Sequence, residues 1–361
     1  MRLIDLPHTP PIPAPVKTDR RDMIGLLRLA GTLRTTGYDI SSTCNLNCEG
    51  CFYFSGARSN IETDTSETGD WEAFFQAQAE DGINYAYLAG AEPSLVPERL
   101  RLAARHIRYG MIFSNGTRRI PDDIPYRIHI SMWGADETSG LARGANVNAK
   151  ALRNYAGDAR ALFVYTIHKR NIGEIRDAVA ACHAAGVPIT FNYFSATTDY
   201  LKKLQDAASN DAAYFRFSKA DDNLMLDAAD FAAARAELTR LMAAYPDTVL
   251  YSLDYDRWVS GPSSPYTLDA DGIAEDCAFR TDPWHRHFQI GREASPEKCG
   301  NPNVDCSECR TYAAGLTSWT RHVAAHAPAD SAKADWTQAF LTWKQIFLGD
   351  QVDHRAFAAK R

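Results

Sequence analysis

In Tyr38-Asp39-Ile40-Ser41-Ser42-Thr43-Cys44-Asn45-Leu46-Asn47-Cys48-Glu49-Gly50-Cys51, a short apolar run passes directly into three cysteines spaced x3 and x2. If Tyr38–Ser41 is a strand, the three thiols converge in the loop at its C-terminal end, the face on which α/β barrels gather their active sites. Soft thiolate ligands suit zinc or iron–sulfur chemistry. A structural zinc site is normally closed by four ligands, and no fourth Cys or His lies nearby, so this set leaves one metal position open.

Working outward, apolar runs recur at Asn84–Leu88, Met111–Ser114, Arg127–Met132, Leu162–Ile167 and Ile189–Phe194. Between most of them lie segments with a period near 3.6: Trp71–Glu80, Glu98–His106, Lys150–Ala156 and Ile172–Ala185, the last stopped by Gly186 and Pro188. Strands alternating with helices predict right-handed βαβ units and a parallel sheet. Six strands make the fold class α/β, a partial (β/α)6 TIM-type barrel. A further helix at Asp227–Tyr245 and a strand in TVLYSLD (248–254) follow.

The loops after the later strands are polar in a particular order. The second run ends in AGAEPS (89–94), the third in SNGT (114–117), the fourth in ISMWG (130–134), and ARG (142–144) comes after. With C-x3-C-x2-C after the first strand, this series resembles the radical S-adenosylmethionine (SAM) superfamily over residues 36–195. The resemblance implies that Cys44, Cys48 and Cys51 hold a [4Fe–4S] cluster whose open iron chelates SAM. It implies reductive cleavage of SAM to a 5′-deoxyadenosyl radical that takes hydrogen from a substrate. It further implies SAM contacts from Phe52, Gly90, Ala91, Glu92, Ser114, Asn115, Ser131 and Arg143. Three departures stand out: Gly50 replaces a bulky residue before the third cysteine, Ala91 replaces a glycine, and Trp133 replaces an aspartate.

Four more cysteines, Cys277, Cys299, Cys306 and Cys309, cluster near the C-terminus with spacings x21, x6 and x2. A C-x2-C pair with two distant partners suits zinc or a second [4Fe–4S] cluster, and His285 and His287 lie between as competing ligands. The segment resembles the auxiliary-cluster regions of SPASM or Twitch type, which favours the second cluster. From Tyr255 to Cys309 the sequence lacks apolar periodicity of its own, so a metal is expected to organise it, and Thr311–His326 and Asp335–Leu348 return to a helical pattern. The expected division is a proline-rich arm at 1–35, the barrel at 36–254, an auxiliary cluster region at 255–325 and a C-terminal helix at 326–361. Trp336, Phe340, Trp343 and Phe347 form a packing stripe along that helix.

The 361 residues carry a formal net charge of −6, which tells against a dominant nucleic-acid or anionic-membrane surface. No secretory leader or spanning stretch is evident, and seven of the eight cysteines fall in two clusters that read as ligands in a reducing cytoplasm, the expected location, while Cys182 reads as a core residue. The expected partners are a one-electron reductant such as flavodoxin or ferredoxin and a substrate. A small metabolite such as a sugar or aminocyclitol is favoured, with net oxidation assisted by the second cluster. A peptide modifier or a carbon–carbon bond former is the enzymatic alternative. A non-catalytic iron–sulfur or zinc protein for electron transfer or structure is the alternative of another class. Asp254-Tyr255-Asp256-Arg257-Trp258 is read as a loop near the pocket or in solvent.

Overall fold

The computed structural model describes residues 18–54, 64, 67–135, 137–206, 214–300 and 303–359. Strands β1 (Thr35–Asp39), β2 (Tyr85–Ala89), β3 (Tyr109–Ser114), β4 (Arg127–Met132), β5 (Ala161–Ile167) and β6 (Ile189–Tyr193) run parallel in simple sequence order, and β7 (His287–Phe288) adds to the far edge of β1. The architecture is α/β, an open parallel sheet in the order of a partial barrel. The neighbouring registers, such as Tyr38 opposite Leu88 and Ile130 opposite Phe163, bring the strand C-termini to one rim.

Side chains of a strand alternate between its faces. Here one set, including Tyr38, Ile112, Ile128 and Ile130, belongs to the buried apolar core, and Tyr38 meets Phe74 and Phe75 of the helix Thr68–Glu80 edge-on. The other set, Asp39, Ala89, Phe113, Ser131, Thr166 and Asn192, lines an inner chamber. Burying an apolar face at a typical 25 cal/mol per Å² stabilises the sheet and leaves the other face available for function.

The C-terminal helices close the base of that chamber. In the helix Ala332–Phe347 the predicted stripe stacks on itself, Trp336 on Phe340 and Phe340 on Trp343, while Phe347 stacks on Tyr312 of the helix Tyr312–His326. Tyr85 donates from its hydroxyl to the Phe347 carbonyl at 2.9 Å, and His129 Nε2 lies 2.9 Å from the Ile346 carbonyl.

Several expectations require correction. The strand read at 248–254 reduces to a parallel bridge between Val249 and Ile189, because Ser252 caps a helix, Leu253–Val259, through Tyr255 N. Asp256 on that helix faces neither pocket nor solvent. It is fully buried and takes hydrogen bonds from Tyr193, Tyr251 and Arg235 at 2.7, 3.0 and 2.6 Å. Part of the expected N-terminal arm is a helix, Arg20–Thr32, started by an Asp19–Asp22 capping box and clasped by His354 and Arg355 on Asp22; residues 1–17 lie outside the described set. The loop-rich stretch after Tyr255 supplies Tyr266, Phe279 and Ile290 to the same core as the sheet.

Burial pushes the His129 imidazole down to about 3 and that of His168, after β5, to about 4. In the unfolded chain both titrate near 6.5. The unfolded state therefore binds more protons below pH 6.5. Their contribution is complete above that value and is lost as pH falls from there towards 4, by about 1.4 kcal/mol per pH unit for each histidine. Urea titrations at pH 7, 6 and 5 should show this slope, to which the buried His285 adds, and His168→Gln should remove one histidine's share of it, about 1.4 kcal/mol per pH unit. An unchanged slope in the variant would refute the assignment.

Candidate active site

The loop Cys44–Cys51 leaves β1 and is fixed at both ends by buried acids. Glu92, 1% exposed at the end of β2, accepts from Ser94 N at 3.0 Å and the Ser114 hydroxyl at 2.8 Å on Oε1, and from Asn115 N at 2.7 Å on Oε2. Asn115 passes this order on, its Nδ2 donating to Asn45 Oδ1 at 2.8 Å and lying 3.7 Å from Cys44 Sγ. At the other end, Glu49 is completely buried and accepts from Arg216 N at 2.8 Å and Ser218 N at 3.2 Å. Glu49 N donates to the Ala142 carbonyl and Gly50 N to that of Tyr214.

Gly50 has a reason to be glycine. Its φ is +61°, and a Cβ would lie 3.0 Å from the Tyr200 ring and 3.2 Å from that of Phe194. Those two rings, in T-shaped contact with each other, occupy the space a bulky residue before the third cysteine would need. Gly90 has φ +115°, and a Cβ there would meet the Ser41 carbonyl at 2.8 Å, so the β2 end lies directly against the β1 end.

All three cysteines line one cavity of about 230 Å³, together with Phe52, Gly90, Ala91, Glu92, Ser114, Asn115, Ser131 and Arg143. Every residue that the motif series marked for this site therefore reaches one cavity wall. Among the described residues, no three His, Cys, Asp or Glu side chains stand as a ready-made set around a single ion. Burial is the main force raising the Cys44 and Cys51 thiols, the latter to about 12, and the neighbouring cysteines raise Cys51 further.

Arg143 is 2% exposed and donates to the Ser131 carbonyl, while its Nε has no hydrogen-bonding partner. A buried guanidinium with an unmet donor on a cavity wall fits an incoming carboxylate. Trp133 takes the place of the missing aspartate, borders this cavity and meets Phe194 edge-on.

A second cavity of about 270 Å³ lies inside the sheet and shares Phe52, Gly90, Phe113, Ser131, Trp133 and Thr166 with the first. Its inner wall carries Asp39, His285 and His287, with His287 Nε2 at 3.1 Å from Asp39 Oδ2. Sequence reading missed Glu49, Asn45, Thr166 and Asn192. The last two had a signal, being polar residues at inward positions of otherwise apolar strands.

Three of the four C-terminal cysteines, Cys277, Cys299 and Cys309, lie within electrostatic reach of the buried Tyr266. Burial first, then the charges of Cys309, Cys277 and Cys299, raise its phenol well above the usual range, and Cys306 acts on both Cys277 and Cys309. Gly300 and Thr311, beside Cys299 and Cys309, border the inner chamber.

No family model matches the sequence, and no curated protein matches it. Among solved structures, SuiB of Streptococcus suis bound to S-adenosylmethionine aligns at TM-score 0.53 and 13% identity over 74% of this chain. The chain shares the fold of SuiB. It spans 60% of that protein's length. Native anSMEcpe with bound AdoMet aligns at TM-score 0.47 and 13% identity over 86% of this chain and 95% of its own. SuiB bound to the precursor peptide SuiA aligns at 0.44 and 15% over 62% and 50%.

Gly50→Ala should cost about 1–3 kcal/mol, the usual range for a side chain forced to positive φ. The damage should fall on the cysteine loop, so iron bound per chain after reconstitution should drop together with the midpoint of thermal unfolding. Normal iron loading at unchanged stability would show that the loop tolerates a Cβ.

Proposed function

We propose that this chain is a radical SAM enzyme. The observation that carries the reading is the outer cavity: Cys44, Cys48 and Cys51 share its wall with the buried Arg143 and with Glu92, Ser114, Asn115 and Ser131 from the ends of successive strands. Three thiols suit a [4Fe–4S] cluster with one open iron, and the unmet Nε of Arg143 suits the SAM carboxylate. When bound, cluster and SAM together supply one-electron reductive cleavage and a radical that abstracts hydrogen from the substrate. SuiB, whose fold this chain shares, is bound to S-adenosylmethionine, which supports the assignment.

The chain's own residues do the positioning. Glu92 keeps the ends of β2 and β3 in register and, through Asn115, orients Cys44 on the wall of the same cavity. Phe52, Phe113 and Trp133, on the wall common to both cavities, keep water from the boundary where the substrate meets the cofactor.

The substrate reading is a small molecule held in the inner chamber, with dehydrogenation as the net reaction. An epimerase needs a donor to return hydrogen, commonly a thiol, and Cys182, the thiol outside both clusters, is fully buried in the helix Ile175–Ala184 and borders neither cavity. Cys277, Cys299, Cys306 and Cys309 are assigned to a second [4Fe–4S] cluster that takes up an electron from the substrate. The position of Gly300 and Thr311 on the chamber wall supports that role. A reductant such as flavodoxin or ferredoxin supplies the first electron. Modification of a peptide side chain in the same chamber is the alternative.

Anaerobically reconstituted protein should bind about eight irons, two cubanes' worth, and with dithionite convert SAM to 5′-deoxyadenosine and methionine. Cys48→Ala should abolish cleavage, whereas Cys306→Ala should retain part of it. Recovery of zinc with no cleavage, or normal cleavage by Cys48→Ala, would overturn the reading. Deuterium passing from a labelled candidate into 5′-deoxyadenosine would separate the metabolite and peptide readings.

A further inference from the structure

His285 is 1% exposed and lines the inner chamber. Its ring stacks on Phe279 at 4.2 Å between centroids, and its Nδ1 lies 3.1 Å from the Thr35 hydroxyl. Its Nε2 is buried and has no hydrogen-bonding partner. Buried polar atoms in folded proteins nearly always find a partner, so an orphaned one on a cavity wall marks the place of a ligand.

The character of that ligand follows from the surroundings. Burial pushes the imidazole down to about 3, so the ring is neutral, and with Nδ1 engaged by a hydroxyl its Nε2 offers either a proton or a lone pair according to tautomer. A hydroxyl group donates and accepts, and therefore satisfies both tautomers. A carboxylate or an ammonium satisfies one. The Asp39 carboxylate on the same wall disfavours an anion. The chamber also carries apolar side chains, Phe113 and Val164 from the sheet and Phe279 against the His285 ring. Its volume of about 270 Å³ leaves space for a small skeleton or one side chain.

We propose that the inner chamber is the substrate subsite for a small hydroxyl-bearing group, and that His285 Nε2 anchors the hydroxyl. This rests on the radical SAM reading, since the chamber opens through Gly90, Ser131 and Trp133 onto the cavity of the three cysteines. The hydroxyl belongs either to a free alicyclic molecule or to a peptide side chain, and two pairs of probes distinguish these sources. One pair is 2-aminocyclohexanol and cyclohexylamine; the other is N-acetylserinamide and N-acetylalaninamide. Each pair differs by one hydroxyl.

Affinities are measured calorimetrically on reconstituted protein saturated with SAM. At least one hydroxyl compound should bind about tenfold more tightly than its partner lacking the group, as a site with a buried polar atom discriminates. His285→Phe keeps a ring against Phe279 but has no nitrogen, and should erase the preference. His285→Gln keeps a polar group and should retain part of it. Equal binding within both pairs, or a preference surviving in the Phe variant, would overturn the proposal. If the Phe variant does not fold, the wild-type ratios and loss or retention in the Gln variant decide. Failure of the underlying reading shows separately, as unsubstituted protein that forms no 5′-deoxyadenosine from SAM.

Discussion

The buried carboxylate of Glu92 ties the turn after β2 to the end of β3 and, through Asn115, to the loop after β1. Parallel strands exchange backbone hydrogen bonds along their length, but beyond the last paired residue each chain departs on its own course. Glu92 collects Ser94 N within its own turn and both Ser114 Oγ and Asn115 N from the end of β3. Hydrogen bonds to a charged acceptor are typically worth about 1.5–3 kcal/mol, and removing the acceptor leaves its buried donors unmet. From Asn115 the order continues to Asn45 and Cys44 at the end of β1. The first cysteine of the site is thus linked to an acid that follows the next strand in sequence.

Glu49 does the same from the opposite side. It sits between the second and third cysteines and reaches backbone amides of Arg216 and Ser218, far along the chain. Its guanidinium neighbour, Arg216, stands at 3.8 Å, so backbone donors rather than a close ion pair satisfy the charge. The loop is held between two buried carboxylates, and Gly50 lets it turn tightly enough to receive Tyr200 and Phe194 beneath it. The substitution that weakened the motif on paper is what this packing requires.

The sheet was legible because apolar runs and 3.6-residue periods are local properties, and the observed strands β1 to β6 fall on the predicted runs within a few residues. The strand ends were legible because polar turn residues interrupt those runs. What failed to show were long-range events. Ser252 capping a helix overrode the apolar reading of 248–254. The pairing of His287 and Phe288 with β1 depends on the chain returning across some 250 residues, which no periodicity announces. Asp256 looked like a loop acid because its three partners, Tyr193, Arg235 and Tyr251, lie on separate elements.

The exchange of an aspartate for Trp133 changes what kind of boundary separates the two cavities. A carboxylate there would bring water and a fixed charge to the passage between the cysteine loop and the inner chamber. Trp133 instead joins Phe52 and Phe113 in an aromatic wall, while its carbonyl accepts from the neutral His168 at 3.1 Å. The ionisable groups lie towards the two extremes, Arg143 and Glu92 on one side and Asp39 with His285 and His287 on the other, while the neutral Ser131, Thr166 and Asn192 share the common wall. Charges so placed act across a medium of low polarity, in which each is felt more strongly than in water. An elongated molecule bridging the two cavities would thus be held at its termini, with its middle against Phe52, Phe113 and Trp133.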